Sequence, residues 1–169
     1  MAIDRTSQFA VVQLVTKTGR TSASAFLMRV IKTIPYKIHT VLTDNGIQFT
    51  FPPRYVDGPT AQFMTHMFDM RCRENGIEHR LTKIKHPWTN DQVERMNRTI
   101  KDATVKRYHY NTHRQLGTHL RDFINAYNYG RRLKTLRGLT PYEFICKSWI
   151  TEPERFRLNP LHHTPGLNN

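Results

Sequence analysis

The chain has 169 residues, a mass of 20.0 kDa and 38% hydrophobic residues, which excludes wholesale disorder and fits one domain. Its 26 Lys and Arg residues against 13 Asp and Glu residues give a net charge of +13, which predicts a polyanionic partner. The apolar stretches are too short for a membrane helix, the first residues lack a signal-peptide pattern, and two cysteines are too few for a disulfide framework. We therefore expect a cytoplasmic protein that binds nucleic acid.

The chain opens with two predicted strands. Residues 2–3 form a short apolar segment, and residues 9–15 are rich in strand formers after a turn at 5–8. Because the chain begins inside a strand with no lead-in, we expect that residues upstream of Met1 are missing.

A helix and a third strand follow. Thr21 or Ser22 caps the helix, and Pro35 ends it. The β-branched residues at 38–43 predict a strand that ends at Asp44. A strand, a helix and a strand in this order predict a crossover unit, with the third strand in the same sheet.

The middle of the chain alternates loops and short elements. Prolines and a glycine predict a loop over 51–59, after which Thr60 begins a helix that Gly76 ends. Residues 77–81 predict a short strand, and residues 82–90 predict a second loop.

The C-terminal half is predicted to be helical. Helices over 91–108 and 113–129 precede a third helix that begins with a capping box at Thr140. Prolines predict an extended tail over 151–169, so we expect one domain over 1–150.

Asp44 is the first candidate for chemistry. It lies at the carboxyl end of a predicted buried strand, where the ligand sites of open α/β sheets are found. The same residue begins an Asp-Asn-Gly sequence, which is typical of a turn. The position alone leaves both interpretations open.

Glu94 is the second candidate. With Arg98 and Lys101 it forms one polar stripe on a predicted helix, because residues four and seven apart share a helical face. The neighbouring stripe is apolar and is expected to pack on the sheet: Val93, Met96 and Ile100. The polar stripe fits either a metal beside a phosphate backbone or a solvated, salt-bridged face.

Two segments in this order resemble the DDE transposase and retroviral integrase catalytic-core family, most closely its bacterial insertion-sequence transposases. They are LTDNGIQFT at 42–50 and HPWTNDQVERMNRTIK at 86–101. The family carries its second catalytic acid in a T-D-N-G-x-x-F segment, which corresponds to Asp44 here. Its third lies in a segment like P-x-x-N-x-x-x-E-x-x-N, which corresponds to Glu94. The resemblance covers residues 1–150.

The resemblance implies an α/β, ribonuclease-H-like fold, with a mixed sheet, flanking helices and a helical C-terminal half. It also implies a polynucleotidyl transferase that cleaves phosphodiester bonds and transfers DNA strands. In that family carboxylates hold two divalent cations, so Asp44 and Glu94 are the implied ligands of Mg²⁺ or Mn²⁺. The implied partners are DNA and either a second copy of the chain or a full-length transposase.

One feature departs from the family. Its first catalytic Asp lies on the first strand, but the opening here resembles the second and third strands, so the first strand is predicted to be missing. Asp4 then corresponds to a non-catalytic Asp that closes the second strand, with a role as substitute ligand left open. We expect the chain to bind Mg²⁺ or Mn²⁺ weakly and not to nick DNA by itself. A catalytically inactive DNA-binding remnant is the alternative function, and a fragment that blocks transposase assembly is a third.

The basic residues cluster in the second half of the chain. Residues 95–137 hold eleven Lys and Arg residues against two Asp residues, a net charge of +9. An ordinary solvated surface mixes both signs, so this excess favours contact with DNA. The candidate DNA-binding residues lie on or just before the helix that carries Glu94: Lys83, Lys85, Arg95, Arg98 and Lys101.

Overall fold

The computed structural model of the chain describes residues 1–52, 65–82 and 91–162. In these ranges the strands and α-helices are, in chain order, β1 (Ala2–Ile3), β2 (Ala10–Val11), α1 (Arg20–Thr33), β3 (Thr40–Thr43), α2 (Met67–Glu74), β4 (Glu78–Leu81), α3 (Asp91–Ala103), α4 (His113–Asn125) and α5 (Pro141–Thr151). A π-helical turn, Ala126–Gly130, follows α4. Three short 3-10 helices lie in the C-terminal part of the chain: Lys134–Leu136, Pro153–Arg155 and Pro160–His162.

The chain folds into two compact units whose segments alternate in sequence. The terminal unit comprises Met1–Leu14, Pro35–Lys37 and Gln92–Asn169, and the central unit comprises Val15–Ile34 and Ile38–Asp91. Each unit has its own apolar core. The single domain over residues 1–150 stays a prediction.

The terminal unit is built on an antiparallel strand pair and helices. β1 pairs with β2 in the register Ala2↔Val11 and Ile3↔Ala10. Its core joins β2, α3, α4 and the π-helical turn, and consists of Ala10, Met96, Leu120, Ile124 and Tyr127. Met96 is 5% exposed, with Ile100 packed against the same cluster, so the predicted apolar stripe of α3 does face a core.

A buried side-chain amide closes the outer edge of β2. Asn128, in the π-helical turn, accepts a hydrogen bond from the Ala10 N–H at 2.9 Å and donates one to the Ala10 carbonyl at 2.8 Å. Both residues are almost fully buried, with 1% and 2% exposure. The amide thus satisfies the two backbone groups that a further strand would otherwise pair.

The central unit contains a parallel crossover. β3 pairs with β4 from Thr40↔Glu78 to Thr43↔Leu81, with α2 between them in sequence. Gly76 was predicted to end the helix, and this is confirmed: it follows α2 with a φ of 65°, the left-handed conformation that glycine adopts after a helix C-terminus. The core of this unit lies between α1, α2 and the start of β4 and consists of Leu27, Phe68, Cys72 and Ile77.

The strands are shorter than predicted and form two two-stranded sheets in the described parts of the chain. Only Ala10–Val11 of the predicted strand over 9–15 is in a ladder, and the Asn128 amide occupies its outer edge at Ala10. The strand predicted over 38–43 begins at Thr40.

The helix bounds also differ in detail. Gly19 precedes the first turn of α1, where the Ser22 hydroxyl donates to the Gly19 carbonyl, so neither predicted cap residue occupies the N-cap. α3 ends at Ala103 instead of residue 108, and the next residue, Thr104, is buried with its hydroxyl donating to the Ile100 carbonyl. The predicted capping box at Thr140 is confirmed in α5.

The segment predicted as an extended tail is partly folded. The Tyr142 hydroxyl donates to the carbonyl of the buried Pro160 at 2.6 Å. Phe156 forms an antiparallel bridge with Tyr36 and packs edge-on against Trp149. Residues 151–162 therefore have contacts that their composition does not indicate, because the Tyr36 partner of Phe156 lies far away in sequence.

Several predictions fall on residues outside the described ranges. They are the loop over 51–59 beyond Pro52, the helix start at Thr60, the loop at 83–90, and the end of the tail at 163–169. Among the described helices, none combines the length and the apolar composition that crossing a membrane requires. The cytoplasmic location stays a prediction.

Truncation of the buried amide tests the closure of β2. We expect Asn128→Ala to lower the free energy of unfolding by about 2–4 kcal/mol, because it leaves two buried backbone groups of Ala10 unpaired. Urea unfolding measures the change. The matched control is Asn125→Ala, the same substitution at an exposed position at the end of α4. Equal destabilisation by the two variants would contradict this role for Asn128.

Candidate functional site

Asp44 is exposed immediately after the last residue of β3. Its Oδ1 atom accepts the Gly46 N–H at 2.9 Å, which is the turn-forming bond that an Asp-Asn-Gly sequence favours. The Asn45 side chain donates to the Thr82 carbonyl at 2.9 Å and so ties this turn to the end of β4. Asp44 therefore combines both sequence interpretations: it begins a turn, and it presents a carboxylate at a strand end.

A buried histidine holds the other side of the same loop. The His66 Nε2–H donates to the Ile47 carbonyl at 3.3 Å, and its Nδ1 accepts the Phe68 N–H at 3.2 Å as the N-cap of α2. These two bonds need the neutral Nε2–H form of the ring. Burial lowers the pKa of His66, with a further contribution from the Arg20 charge, against the Ile47 carbonyl and the Asp69 charge.

A second histidine, His79, lies on β4 and is hydrogen-bonded to the last residue of β3, which precedes Asp44. The His79 Nδ1 atom is hydrogen-bonded to Asp69, and its Nε2 atom lies 2.8 Å from the Thr43 hydroxyl. The His79 side chain is 5% exposed. Asp69, His79 and Thr43 were not among the residues predicted for the site. One signal for the burial of His79 was present in the sequence: it lies two residues after Ile77, and side chains two apart on a strand point to the same face.

Glu94 lies on the exposed face of α3, opposite the buried Met96. Arg98 and Lys101 are exposed on the same face. Within the part of the chain that the structure describes, no ion pair joins Glu94 to either cation. The Glu94 carboxylate faces solvent on the same exposed face of α3 as these two positive charges.

Asp4 has a different environment, inside a tight turn of the terminal unit. Its Oδ1 atom accepts the Thr6 N–H at 3.1 Å, and its Oδ2 atom accepts the Ser7 N–H, the Ser7 hydroxyl and the Tyr36 hydroxyl. A carboxylate has about four lone-pair positions, so these bonds occupy its acceptor capacity. Burial, then the Asp4 charge, raises the pKa of Tyr36, which keeps that hydroxyl a donor. This favours the turn-forming role of Asp4 over metal binding.

The carboxylates differ in how well they suit a divalent cation. Asp44 and Glu94 are exposed oxygen ligands of the type that Mg²⁺ and Mn²⁺ prefer. Asp44 belongs to the central unit and Glu94 to the terminal unit. No group of three His, Cys, Asp or Glu side chains is arranged as a metal site within residues 1–52, 65–82 and 91–162.

The terminal unit exposes an excess of positive charge. All eleven Lys and Arg residues of segment 95–137 are exposed, including the candidates Arg95, Arg98 and Lys101. Among them, Lys106 contacts Asp102 and Arg132 contacts Glu143. The candidates Lys83 and Lys85 lie outside the described residues.

Known proteins match both the sequence and the fold. The integrase core domain family matches residues 75–141, a range that includes Glu94 and does not include Asp44. The crystal structure of the catalytic core domain of BIV integrase has a TM-score of 0.64 and 19% identity to this chain, over 89% of this chain and 86% of that one. The fold is that of an integrase catalytic core. The predicted ribonuclease-H-like class is thereby confirmed.

A longer relative carries a similar segment. The uncharacterized protein K02A2.6 of Caenorhabditis elegans is 22% identical over 181 residues, which cover 96% of this chain and 13% of that protein. The chain thus spans about an eighth of the length of this relative. The similarity is confined to this segment of the relative.

The role of Asp4 in this integrase-core fold can be tested directly. We expect Asp4→Asn to lower the free energy of unfolding by about 1–3 kcal/mol, because an amide nitrogen cannot accept the bonds from Ser7 and Tyr36. We also expect unchanged Mn²⁺ binding by isothermal titration calorimetry. Asp122→Asn is the control, at an exposed position of α4. A weaker Mn²⁺ affinity in Asp4→Asn alone would make Asp4 a ligand.

The buried His66 predicts a pH dependence of stability. Its pKa is lowered in the folded state, so the unfolded chain binds more protons once the pH falls below about 6.5, the ordinary histidine value. The contribution of His66 to the free energy of unfolding is therefore constant above about pH 6.5 and decreases as the pH falls below it. We expect His66→Asn, which retains a good N-cap residue, to flatten the melting temperature against pH in this window. An unchanged slope would contradict the assignment.

Proposed function

We propose that the chain is the catalytic-core part of a DNA transposase or integrase, whose chemistry is metal-dependent phosphodiester cleavage and strand transfer. One observation carries the proposal: the two acids of the family motifs are exposed carboxylates, Asp44 at the end of β3 and Glu94 on α3, in a chain with the integrase-core fold. The match of the integrase core domain to residues 75–141 supports the assignment of Glu94.

In this proposal Asp44 and Glu94 hold Mg²⁺ or Mn²⁺. When bound, such cations supply an activated oxygen nucleophile and stabilise the leaving oxygen of a phosphodiester. The chain's own residues orient these carboxylates. The Gly46 N–H fixes the Asp44 carboxylate, and the packing of Met96 in the core fixes the face on which Glu94 points outward.

DNA is the proposed substrate, held through its phosphates. Arg95, Arg98 and Lys101 follow Glu94 along α3, so a backbone contacted by these cations passes beside the proposed metal ligand. Lys83 and Lys85 are proposed to extend this contact from the segment before α3. Such contacts neutralise phosphates without reading bases, so we expect binding with little sequence preference. A second copy of the chain, or a full-length transposase, is the protein partner that we propose.

Charge reversal on α3 tests the DNA contact. We expect Lys101→Glu to weaken binding to random duplex DNA and to reduce the log–log salt slope by about 1, since one phosphate contact is lost. Fluorescence anisotropy at several salt concentrations measures both. Lys32→Glu, at an exposed position of α1 in the central unit, is the control of equal charge change. The assignment fails if both variants lose affinity equally, or if the parent's affinity does not vary with salt.

Catalysis is tested by nicking of supercoiled plasmid with Mn²⁺. We expect any nicking by the parent to be abolished by Asp44→Asn and by Glu94→Gln, because each removes a charged metal ligand. Asp122→Asn and Glu154→Gln are the matched controls, at exposed positions outside the motifs. Nicking that survives in both motif variants would exclude these acids from the chemistry.

A DNA-binding protein without catalysis is the second candidate. The hydrogen bonds that occupy Asp4 favour it, because they leave the described residues with no third acid grouped with either motif acid. Salt-sensitive DNA binding by a parent chain that binds no Mn²⁺ would support this candidate. Metal-dependent nicking would exclude it.

A further inference from the structure

A chain of three polar side chains leads through the central unit to Asp44. It runs from Asp69 on α2, through His79 on β4, to Thr43 on β3, the residue that precedes Asp44. Nothing in the proposed chemistry uses these side chains. We propose that they form a positioning chain, in which His79 and Thr43 fix the backbone from which the Asp44 carboxylate is presented to a divalent cation; this role rests on the proposed function of Asp44.

The strand register brings the members of the chain together. His79 pairs with Val41 across the parallel ladder, and Val41 and Thr43 point to the same face because side chains alternate along a strand. The Phe68 ring packs against the imidazole with a centroid distance of 4.9 Å. The His79 side chain is 5% exposed, so water cannot readily replace its hydrogen bonds.

Asp69 determines which ring nitrogen carries the proton. A carboxylate only accepts hydrogen bonds, so the His79 Nδ1 atom bonded to it is the protonated one. In the neutral ring Nε2 then has the lone pair and accepts the Thr43 hydroxyl at 2.8 Å, a shorter contact than the 3.1 Å from the same oxygen to the Asp44 carbonyl, which is the competing acceptor for its single hydrogen. This is the arrangement in which a carboxylate orients an imidazole and the imidazole in turn orients a third group.

Thr43 is held at two points. Its hydroxyl is bonded to His79, and its carbonyl accepts the Thr82 N–H at 2.8 Å. The residue can therefore neither change rotamer nor rotate its following peptide without breaking a bond. That peptide joins Thr43 to Asp44, so holding it also holds the position of the Asp44 carboxylate. Such precision matters because a displacement of a reacting group by ~1 Å can reduce a rate about 100-fold.

The first test is the protonation pattern of His79. Nitrogen-15 NMR of the imidazole at mildly alkaline pH is expected to give a protonated Nδ1 and an Nε2 with a free lone pair. Asp69→Asn is expected to remove this preference. A ring protonated at Nε2 in the parent would overturn the positioning chain, whatever the chain does to DNA.

The second test measures the metal site without turnover. Mn²⁺ is added to the labelled protein, and broadening of the Asn45 and Gly46 amide signals is followed. In Thr43→Val, an isosteric change that removes the hydroxyl, we expect a 10–100-fold higher Mn²⁺ concentration at half broadening. Thr43→Ser is expected to restore the parent value. Thr40→Val, on the same strand, is the control, and Asp44→Asn is expected to abolish broadening.

The two proposals fail in distinguishable ways. Equal Mn²⁺ midpoints in the parent and in Thr43→Val would overturn the positioning role and leave the metal function of Asp44 intact. No broadening in the parent, together with a protonated Nδ1, would reject the proposed metal function and with it the positioning of a ligand, and would leave only a structural hydrogen-bond chain. Thermal unfolding of every variant checks that the fold is retained.

Discussion

The parallel pairing of β3 with β4 is the constraint on which the candidate site depends. This register sets His79 beside Thr43, joins the Thr43 carbonyl to the Thr82 N–H, and brings the Thr82 carbonyl to Asn45. A slip of one residue would turn every side chain of β4 to the opposite face. Ile77 would leave the core and His79 would lose Thr43, so the same apolar burial that stabilises the central unit also fixes the support of Asp44.

The terminal unit meets a comparable requirement with a helix. α3 buries Met96 against β2 and α4, which leaves Glu94 and its neighbouring cations on the outer face. β2 is itself fixed by the Asn128 amide, because its outer edge has no further strand among the described residues. The two motif acids thus have different supports: a hydrogen-bonded turn for Asp44 and an amphipathic helix for Glu94.

Local signals in the sequence predicted local structure well. The capping box at Thr140, the left-handed Gly76 and the apolar stripe around Met96 each depend on residues within a few positions, and the structure contains all three. The two motif acids could be singled out because a segment resemblance needs no tertiary information. Their joint role as metal ligands stays a prediction.

Features that depend on residues far apart in the sequence could not be predicted from it. The positioning chain needs the β3–β4 register, which no local pattern specifies. The folded part of the tail needs Tyr36 as the partner of Phe156. The Asn128 amide replaces a strand partner, a role that its position after a helix does not indicate.

The alternation of the two units has a consequence for synthesis of the chain on a ribosome. β1 and β2 emerge first, but their core partners in α4 and the amide of Asn128 emerge only after the central unit is complete. The central unit is interrupted in sequence only by residues 35–37 and can form its β3–β4 ladder early. The outer edge of β2 must therefore remain unpaired while the middle of the chain folds, and it is open to other chains during that time. Until Asn128 has been synthesised, this strand edge is exposed to aggregation and proteolysis.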